Sequence, residues 1–583
     1  MGLGDVNLAC ASALVDALAT GGVRHACVSP GSRSTSLALA LTRDERVRVH
    51  VHLDERAAGF FALGLAKATG VPVALACTSG TAAAEYSAAM VEASQSRTSL
   101  VALTADRPPR LRGTGANQTI DQTDLYGRYA RAYLEPPVPA DADDVAAWAD
   151  TGTRAIEAAM GSIPGPVHVN CPFEEPLAPQ GDVLDVPLTP ALARPSREPD
   201  RGAATEALRS FFDTYAGRLG AITLGAGSAP GTLSLLSLGG LLGWPILAEP
   251  LSGLRLDASD AGCALAAGQF LVGDAEWLAR HHPEVVLQVG AAPTTRATQS
   301  LVAATDALVV LDREHLDPDP AGRAGRRIAV DPELFAAIAW DERETFAIAQ
   351  PDPNWLDEWR AADLVARATV DRMLDGWDEP FEGRVARDVA SFLPHGSALV
   401  IGNSTPVRDL DAFMALRRPP RMWTARDLVR VIGNRGASGI DGLVATTLGV
   451  AAAGDRPTVA LLGDLSFLYD AGTLLWSSRL GVDAVFVVLA NGGGQIFSLL
   501  DQAALPEHDE LFTTPHPAQI AEVCAAAGSG HALVQRAGDL PTALERAIRA
   551  GGVQVIEVAI DAGRDRKRRA ELRAQVARTL ADR

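Results

Sequence analysis

Short apolar runs alternate along the whole chain with longer stretches in which small and apolar residues recur at helical spacing. Runs rich in β-branched residues and bounded by turn residues read as strands; runs with a 3.6-residue period read as helices. In the first third this pattern predicts strands over His25–Ser29, Val47–Leu53, Val73–Thr78, Leu100–Thr104 and Val167–Asn170, with helices over Thr35–Leu41, Arg56–Ala68 and Thr81–Ala93. The middle third shows strands at Ala221–Leu224, Val285–Val289 and Leu308–Leu311. The last third shows them at Ala398–Ile401, Thr458–Leu462, Ala484–Leu489 and Val553–Val558. Strands alternating with helices specify parallel sheets with crossovers. The expected fold class is α/β, with three doubly wound parallel-sheet domains over residues 1–180, 195–350 and 375–583. A Pro-rich polar stretch, Pro176–Pro199, reads as a linker, and Pro351–Trp359 opens a second crossover.

Composition narrows the partners. The chain has 583 residues, too many for one ordinary core, and a net charge of −19. Such a charge disfavours non-specific binding to nucleic acid or to an anionic membrane. Lys67 and Lys567 are the only lysines, so arginine is the default cation and any single arginine carries less weight. Six cysteines are scattered without a C-x-x-C pair, which argues against disulfide and zinc frameworks and for a reducing, cytoplasmic setting. Neither a signal peptide nor an integral membrane segment is expected.

Ligands of open parallel sheets bind beyond the carboxyl ends of strands. Four strand-to-helix junctions carry unusual chemistry: Ser29–Ser34, Asp54–Glu55, Thr78–Thr81 and Gly463–Asp464. Asp464 follows one strand, and Asn491-Gly492-Gly493-Gly494 follows the next. A carboxylate, an amide carbonyl and an exposed backbone carbonyl are the hard oxygen donors that Mg²⁺ prefers. Taken singly, the two pieces are an Asp cap and a Gly-rich turn. As a pair at this separation they resemble the fingerprint of thiamine-diphosphate enzymes. Ala490 stands where those enzymes usually carry a further Asn. The resemblance implies thiamine diphosphate with Mg²⁺ (or Mn²⁺), the metal held by Asp464, Asn491 and the Gly493 carbonyl. It also implies cofactor contacts from Thr78, Ser404, Gly463, Leu465, Ser466, Gln495 and Ile496.

Thiamine chemistry requires a carboxyl group on the pyrimidine ring nitrogen in a water-poor site. Glu55, in His52-Leu53-Asp54-Glu55-Arg56, is the candidate, with Asp54 as its rival; alone, either is an ordinary first-turn helix acid. A branched side chain must also bend the cofactor, and Ile440 is the candidate, with a plain core isoleucine as the alternative. His50 and His52 alternate on one strand face, where packing explains them more simply than a metal does.

Further motifs occur in order: Ser29-Pro30-Gly31-Ser32-Arg33-Ser34, Thr78-Ser79-Gly80-Thr81, Asp106-Arg107-Pro108-Pro109, Gly115–Gln122, Gly402-Asn403-Ser404, Asn434–Asp441 and Gly493–Ser498. With them the chain resembles, over nearly its full length, the 2-succinyl-5-enolpyruvyl-6-hydroxy-3-cyclohexene-1-carboxylate synthase family of menaquinone biosynthesis. That resemblance implies decarboxylation of 2-oxoglutarate and 1,4-addition of the succinyl-semialdehyde carbanion to isochorismate. Both substrates are dicarboxylates, and arginine forks suit carboxylates. The matching contact positions are Ser32, Arg33, Arg107, Asn117, Gln118, Ser404, Arg408 and Arg435, with Ile496, Phe497 and Leu500 as an apolar wall. Glu55, Gln118 and Arg33 are the expected catalytic residues. In the middle domain Arg296-Ala297 replaces a Lys-Arg pair, leaving Arg296 as the one contact there. Gly225-Ala226-Gly227 lacks the full dinucleotide fingerprint, so no flavin or nicotinamide is expected. The resemblance further implies a homodimer or homotetramer with active sites at the subunit interface. The competing readings are an acetolactate-synthase-like or benzaldehyde-lyase-like enzyme, against which the many arginines argue, and a catalytically inactive binding relative, against which Glu55, Asp464 and Asn491 argue.

Overall fold

A computed structural model describes residues 2–181, 200–228, 233–255, 262–313, 318–346, 348–418, 424, 427–454 and 456–581. From residue 182 on, the linker read at Pro176–Pro199 lies outside those residues, as do positions 195–199 of the middle domain.

The α/β expectation holds: three parallel sheets follow one another along the chain. The first contains β1 (His25–Val28), β2 (Arg48–Val51), β3 (Val73–Cys77), β4 (Leu100–Asp106), β5 (Tyr133–Leu134) and β6 (Val167–Pro172), in the order β2-β1-β3-β4-β6-β5. The second contains β7 (Gly220–Leu224), β8 (Ile246–Ala248), β9 (Val285–Val289), β10 (Ala307–Leu311) and β11 (Ala324–Ile328), in the order β11-β10-β9-β7-β8. The third contains β12 (Ala398–Ile401), β13 (Arg430–Gly433), β14 (Thr458–Gly463), β15 (Ala484–Ala490), β16 (Gly530–Val534) and β17 (Val553–Ala559), in the order β13-β12-β14-β15-β17-β16. The helix expected over Thr81–Ala93 is in fact two, Thr81–Glu85 and Ser87–Gln95, which break at the fully buried Tyr86.

All three sheets share one winding rule. The first strand of each lies between its second and third strands, so the chain reverses direction there and leaves a crevice at the carboxyl ends. In the first sheet that crevice lies between Ser29 and Thr78. In the third it lies between Gly402–Ser404 and Asp464. In the second the chain itself fills it: a Cβ on Gly225 would stand 2.2 Å from the Ala291 carbonyl oxygen. The Ser228 hydroxyl donates across the same gap to the Gly225 and Val289 carbonyls, at 2.7 and 2.8 Å.

The first and last sheets are joined by two helices, Glu55–Thr69 and Leu443–Ala452, which share one core containing Phe60, Phe61, Leu63, Val444 and Leu448. Each large side chain so buried contributes about 1.5–3 kcal/mol. The helices touch backbone to backbone. A Cβ on Gly64 would lie 2.1 Å from the Thr446 carbonyl oxygen, and one on Gly449 2.0 Å from that of Phe61. The C-terminal helix, Ala562–Ala581, folds back so that Leu572, Val576 and Leu580 pack with Trp355 and Trp359 of the helix Asn354–Asp375.

Among the described residues one helix, Leu3–Thr20, has the length and mean hydropathy of a membrane span. Its window is 78% buried, and Leu8, Leu14 and Leu18 pack with Trp148, Ala155 and Ile156 in the first domain's core. A helix enclosed by its own domain is apolar all round for that reason.

Inserting a methyl group at the helix–helix contact tests this joint. Gly449→Ala is expected to cost about 1–3 kcal/mol by overpacking, read as a lowered urea midpoint. Gly472→Ala, at a glycine with open space around it, should leave the midpoint unchanged.

Candidate active site

The third sheet's crevice gathers oxygen donors. Asp464 opens the helix Asp464–Tyr469 directly after β14 and is buried. Its Oδ1 accepts the Leu465 N–H at 2.7 Å, and its Oδ2 accepts those of Gly492 and Gly493 at 2.8 and 3.0 Å. Burial raises its carboxyl above the ordinary range, opposed by the Leu465 N–H and by His516, whose Nε2 stands 3.4 Å from Oδ2. Asn491 follows β15 and is also buried. Its Nδ2 donates to Glu382 Oε1 at 2.7 Å, while its Oδ1 is buried without a partner. Gly493, at φ +126°, brings its backbone within 2.1 Å, measured from a would-be Cβ, of the Thr513 carbonyl oxygen, so no side chain fits there. A buried carboxylate, an orphaned amide oxygen and a glycine backbone are donors that fit a hard divalent cation. Across the crevice Ser404 holds φ +71° and ψ −131°, a conformation that costs a non-glycine residue about 1–3 kcal/mol and occurs mainly at functional sites.

Asn491 is oriented from behind. Glu382 Oε2 accepts from Arg569 at 2.8 Å. Arg569 also donates to Asp409 Oδ2 at 2.7 Å and to Asp565 Oδ2 at 2.6 Å. Burial raises all three carboxyls, and the one guanidinium opposes that rise. Gln495 turns toward the C-terminal helix, its Oε1 accepting from Arg566 at 3.2 Å. Ile496, Phe497 and Leu500 are half-buried, and the Phe497 and Phe512 rings lie 5.5 Å apart. Gly463 and Leu465 are half-buried and Ser466 is buried.

In the first domain Glu55 begins the helix Glu55–Thr69, capped by Asp54, whose side chain accepts the Ala57 N–H at 3.1 Å. That separates the two rivals: Asp54 is committed to the cap, whereas Glu55 is half-buried. Burial raises the Glu55 carboxyl, and the charges of Asp54 and Glu85 add to the rise. At the first crevice Thr78 is buried. Arg107 donates to Ser79 Oγ and to the Gln118 carbonyl, both at 2.6 Å, and Gln118 Nε2 donates back to the Ser79 carbonyl at 3.1 Å. Gln118 itself sits at φ +51°. Arg33 is buried and already partnered, donating to the Phe173 carbonyl at 3.0 Å and to Glu175 at 2.9 Å. Ser32 and Asn117, the neighbours of Arg33 and Gln118 in sequence, are exposed. His50 and His52 pack on Phe61, and burial lowers them to about 3 and about 4, as expected for neutral core imidazoles.

The loop from Gly433 to Ile440 joins the two domains. Lys67 Nζ donates to the Gly433 carbonyl at 2.9 Å and to Asn434 Oδ1 at 3.0 Å. Glu92 pairs with Lys67 at 3.0 Å and accepts the N–H groups of Gly436, Ala437 and Ser438 at 3.1, 2.6 and 2.9 Å. Asn403 Nδ2 lies within 3.0 Å of the Asn434, Ser438 and Gly439 carbonyls, and its Oδ1 accepts from Arg435 at 2.9 Å. So held, the loop leaves Arg435 and Ile440 exposed. Arg408 donates to the Ser404 carbonyl at 2.7 Å. Burial lowers it, and the charges of Arg435 and Arg296 lower it further. Among the described residues no hydrogen bond or ion pair joins Ser32, Arg33, Arg107 or Gln118 to the Asp464–Asn491 group. Lys67, Glu92, Asn403, Glu382, Arg569 and His516 carry no site assignment from sequence. Lys67 alone left a signal, as one of two lysines in an arginine-rich chain.

Comparison with known proteins agrees with this geometry. The N-terminal TPP binding domain of thiamine pyrophosphate enzymes matches residues 9–125, and their C-terminal TPP binding domain matches residues 413–558. A 2-succinyl-5-enolpyruvyl-6-hydroxy-3-cyclohexene-1-carboxylate synthase from Thermobifida fusca (strain YX) is 41% identical over 98% of this chain and 99% of its own. Synthases of the same name from Geobacillus kaustophilus (strain HTA426) and Halobacterium salinarum (strain ATCC 29341 / DSM 671 / R1) are 38% and 37% identical, each over 98% of both chains.

The raised Glu55 carboxyl has a sign that can be measured. Its stabilising effect is full below the unfolded value, near 4.5, and is lost as pH rises through the higher folded value. Cofactor-free Glu55→Gln is therefore expected to melt above the wild type at pH 7.5, with the gap closing as the pH falls to about 4. A gap that stayed constant with pH would remove burial of this carboxyl as its cause.

Proposed function

The chain belongs to the 2-succinyl-5-enolpyruvyl-6-hydroxy-3-cyclohexene-1-carboxylate synthase family of thiamine-diphosphate enzymes, and from that premise we propose that it decarboxylates 2-oxoglutarate and adds the four-carbon remainder to isochorismate in menaquinone biosynthesis. The observation that carries the reading is the orphaned Asn491 Oδ1 beside the buried Asp464, a metal cradle at the third sheet's switch point.

Asp464, Asn491 and the Gly493 carbonyl would hold Mg²⁺ or Mn²⁺ and with it the diphosphate. Ser404, Leu465, Ser466, Gln495 and Ile496 would line the cofactor, with Thr78 on the pyrimidine side. Thiamine diphosphate, when bound, supplies a thiazolium carbon able to attack a 2-oxo acid and accept the electrons left by CO2. Glu55 keeps a proton available at the pyrimidine ring nitrogen, because burial disfavours its charged form. Ile440, held out on its clamped loop, supports the bent cofactor. Arg33, Arg107, Arg296, Arg408 and Arg435 grip substrate carboxylates, with Ser32 and Asn117 completing the clamp. Gln118, locked to Ser79, orients the incoming ring. Ile496, Phe497 and Leu500 keep water from the reacting carbon.

The site is completed by a second copy of the chain in a homodimer or homotetramer. Supporting this, Val51, Leu53, Tyr469 and Leu475 are 41, 67, 51 and 57% exposed and flank Glu55. Trp476 Nε1 on the Val51 carbonyl at 2.8 Å and Arg56 stacked 5.1 Å over Tyr469 make them one surface. Exposed apolar surface of this kind marks an interface. A cytoplasmic location belongs to the same reading, supported by six buried free cysteines.

Purified protein is expected to consume isochorismate, followed by loss of its absorbance, only with 2-oxoglutarate, thiamine diphosphate and Mg²⁺ together; pyruvate should not replace 2-oxoglutarate. Glu55→Gln should slow this about a thousandfold while calorimetry still shows cofactor binding. Equal use of pyruvate would move the chain to acetolactate-synthase-like chemistry. Sedimentation should show a dimer or larger species carrying the activity, and a fully active monomer would defeat the shared site.

A further inference from the structure

The middle domain's strand β8 ends at Glu249, which is 6% exposed. Its carboxyl faces the turn after β9. Oε1 accepts the Thr294 N–H at 2.5 Å, and Oε2 accepts the Thr294 hydroxyl at 2.9 Å. The next residue, Thr295, caps the helix Arg296–Ala304 and donates through its hydroxyl to Gln269 Oε1 at 2.5 Å. Gln269 in turn donates to Thr298 at 2.7 Å. Thr294, Thr295 and Thr298 are all buried, so the turn has little freedom. It releases the chain at Arg296, which is exposed as the first residue of the helix. The following Ala297 packs on the core of Leu271 and Val302.

The turn is tied to the helix Thr405–Phe413, which carries Arg408: Arg255 donates to the Ala248 carbonyl, directly before Glu249, and to Asp411 of that helix, both at 3.1 Å. The charges of Arg296 and Arg435 both depress Arg408. Among the described residues, no ion pair to a carboxylate satisfies Arg296, Arg408 or Arg435. Three unneutralised guanidiniums in one region favour an anion with planar oxygens.

We propose that Glu249 is a positioning residue for substrate: by holding the Thr294 turn it fixes Arg296 against Arg408 and Arg435, so that the middle domain contributes one arm of the grip on a substrate carboxylate. The inference rests on the proposed site reading and adds to it a role for a residue that touches neither cofactor nor substrate. A buried acceptor that satisfies both a backbone N–H and a hydroxyl is costly to remove, because both donors are left unpaired. Without it the turn relaxes, and a misplaced cation loses carboxylate affinity before it loses chemistry.

The test measures KM separately for 2-oxoglutarate and isochorismate, together with kcat and the calorimetric affinity for thiamine diphosphate with Mg²⁺. Glu249→Ala should raise KM for one of the two dicarboxylates about tenfold, with kcat and cofactor affinity changed less than threefold. Glu249→Gln keeps an oxygen acceptor for the Thr294 N–H in the same volume and should restore KM to within about threefold of wild type. Thr294→Val, which deletes one of the two hydrogen bonds with little change in volume, should raise the same KM about threefold and serves if Glu249→Ala does not fold. The Glu249→Ala, Arg296→Ala double variant should be no worse than Arg296→Ala alone. Unchanged KM for both substrates in folded Glu249→Ala or Thr294→Val, or multiplying effects in the double variant, would overturn the proposal. Arg408→Ala separates the two readings: if it raises KM while Glu249→Ala does not, only this inference falls; if it moves neither KM, the site reading falls.

Discussion

The molecule turns on a buried ion pair, Lys67 with Glu92, that binds the first domain to a loop of the last. Both side chains are enclosed, and each also serves backbone groups: Lys67 the Gly433 carbonyl, Glu92 three successive N–H groups. Burial lowers Lys67 and works against Glu92, yet Glu92 remains below the ordinary carboxyl range because of Lys67 and those N–H groups. Removing one partner of such a pair typically costs 3–5 kcal/mol, because the other charge is left buried alone. The loop so held presents Arg435 and Ile440. Placement of this loop in the last domain is therefore set by charges on the first.

The helix that carries Lys67 near its end carries Glu55 at its start. Between them Phe60, Phe61 and Gly64 press on the helix Leu443–Ala452, close enough at Gly64 and Gly449 to exclude side chains. One rigid element thus connects Glu55 with the loop from Gly433 to Ile440. Interiors packed this tightly transmit displacement rather than absorb it.

Asn491 depends on a second enclosed network. Glu382 holds its amide nitrogen, Arg569 of the C-terminal helix holds Glu382, and Asp409 and Asp565 complete the cluster. Hydrogen bonds behind a metal ligand fix which atom faces the ion. Here they occupy the Asn491 Nδ2 and leave Oδ1 buried and unpartnered. Asp409 is the neighbour of Arg408, so the helix Thr405–Phe413 gives an acceptor to the network and turns a cation back to the Ser404 carbonyl. The last twenty residues of the structure are thereby tied to Asn491, far from them in sequence.

The apolar pattern alone determined the α/β class and every interior strand, because central strands of parallel sheets are buried on both faces and read as continuous apolar runs. The strands it does not reveal, β5, β8, β11, β13 and β16, all lie at sheet edges. At β11 and β16 exposed positions break the run, and β5 and β8 are only two and three residues long. Residues whose chemistry is local were also legible: Asp464 and Asn491 at strand ends, Glu55 at a helix start. What only the tertiary structure decided is which distant groups those residues meet. Nothing near Glu92 in sequence points to Gly436, nor near Arg569 to Glu382, nor near Glu249 to Thr294. Those pairings arise when elements distant in sequence are packed together, and a one-dimensional pattern carries the period of each element but not the contacts between them.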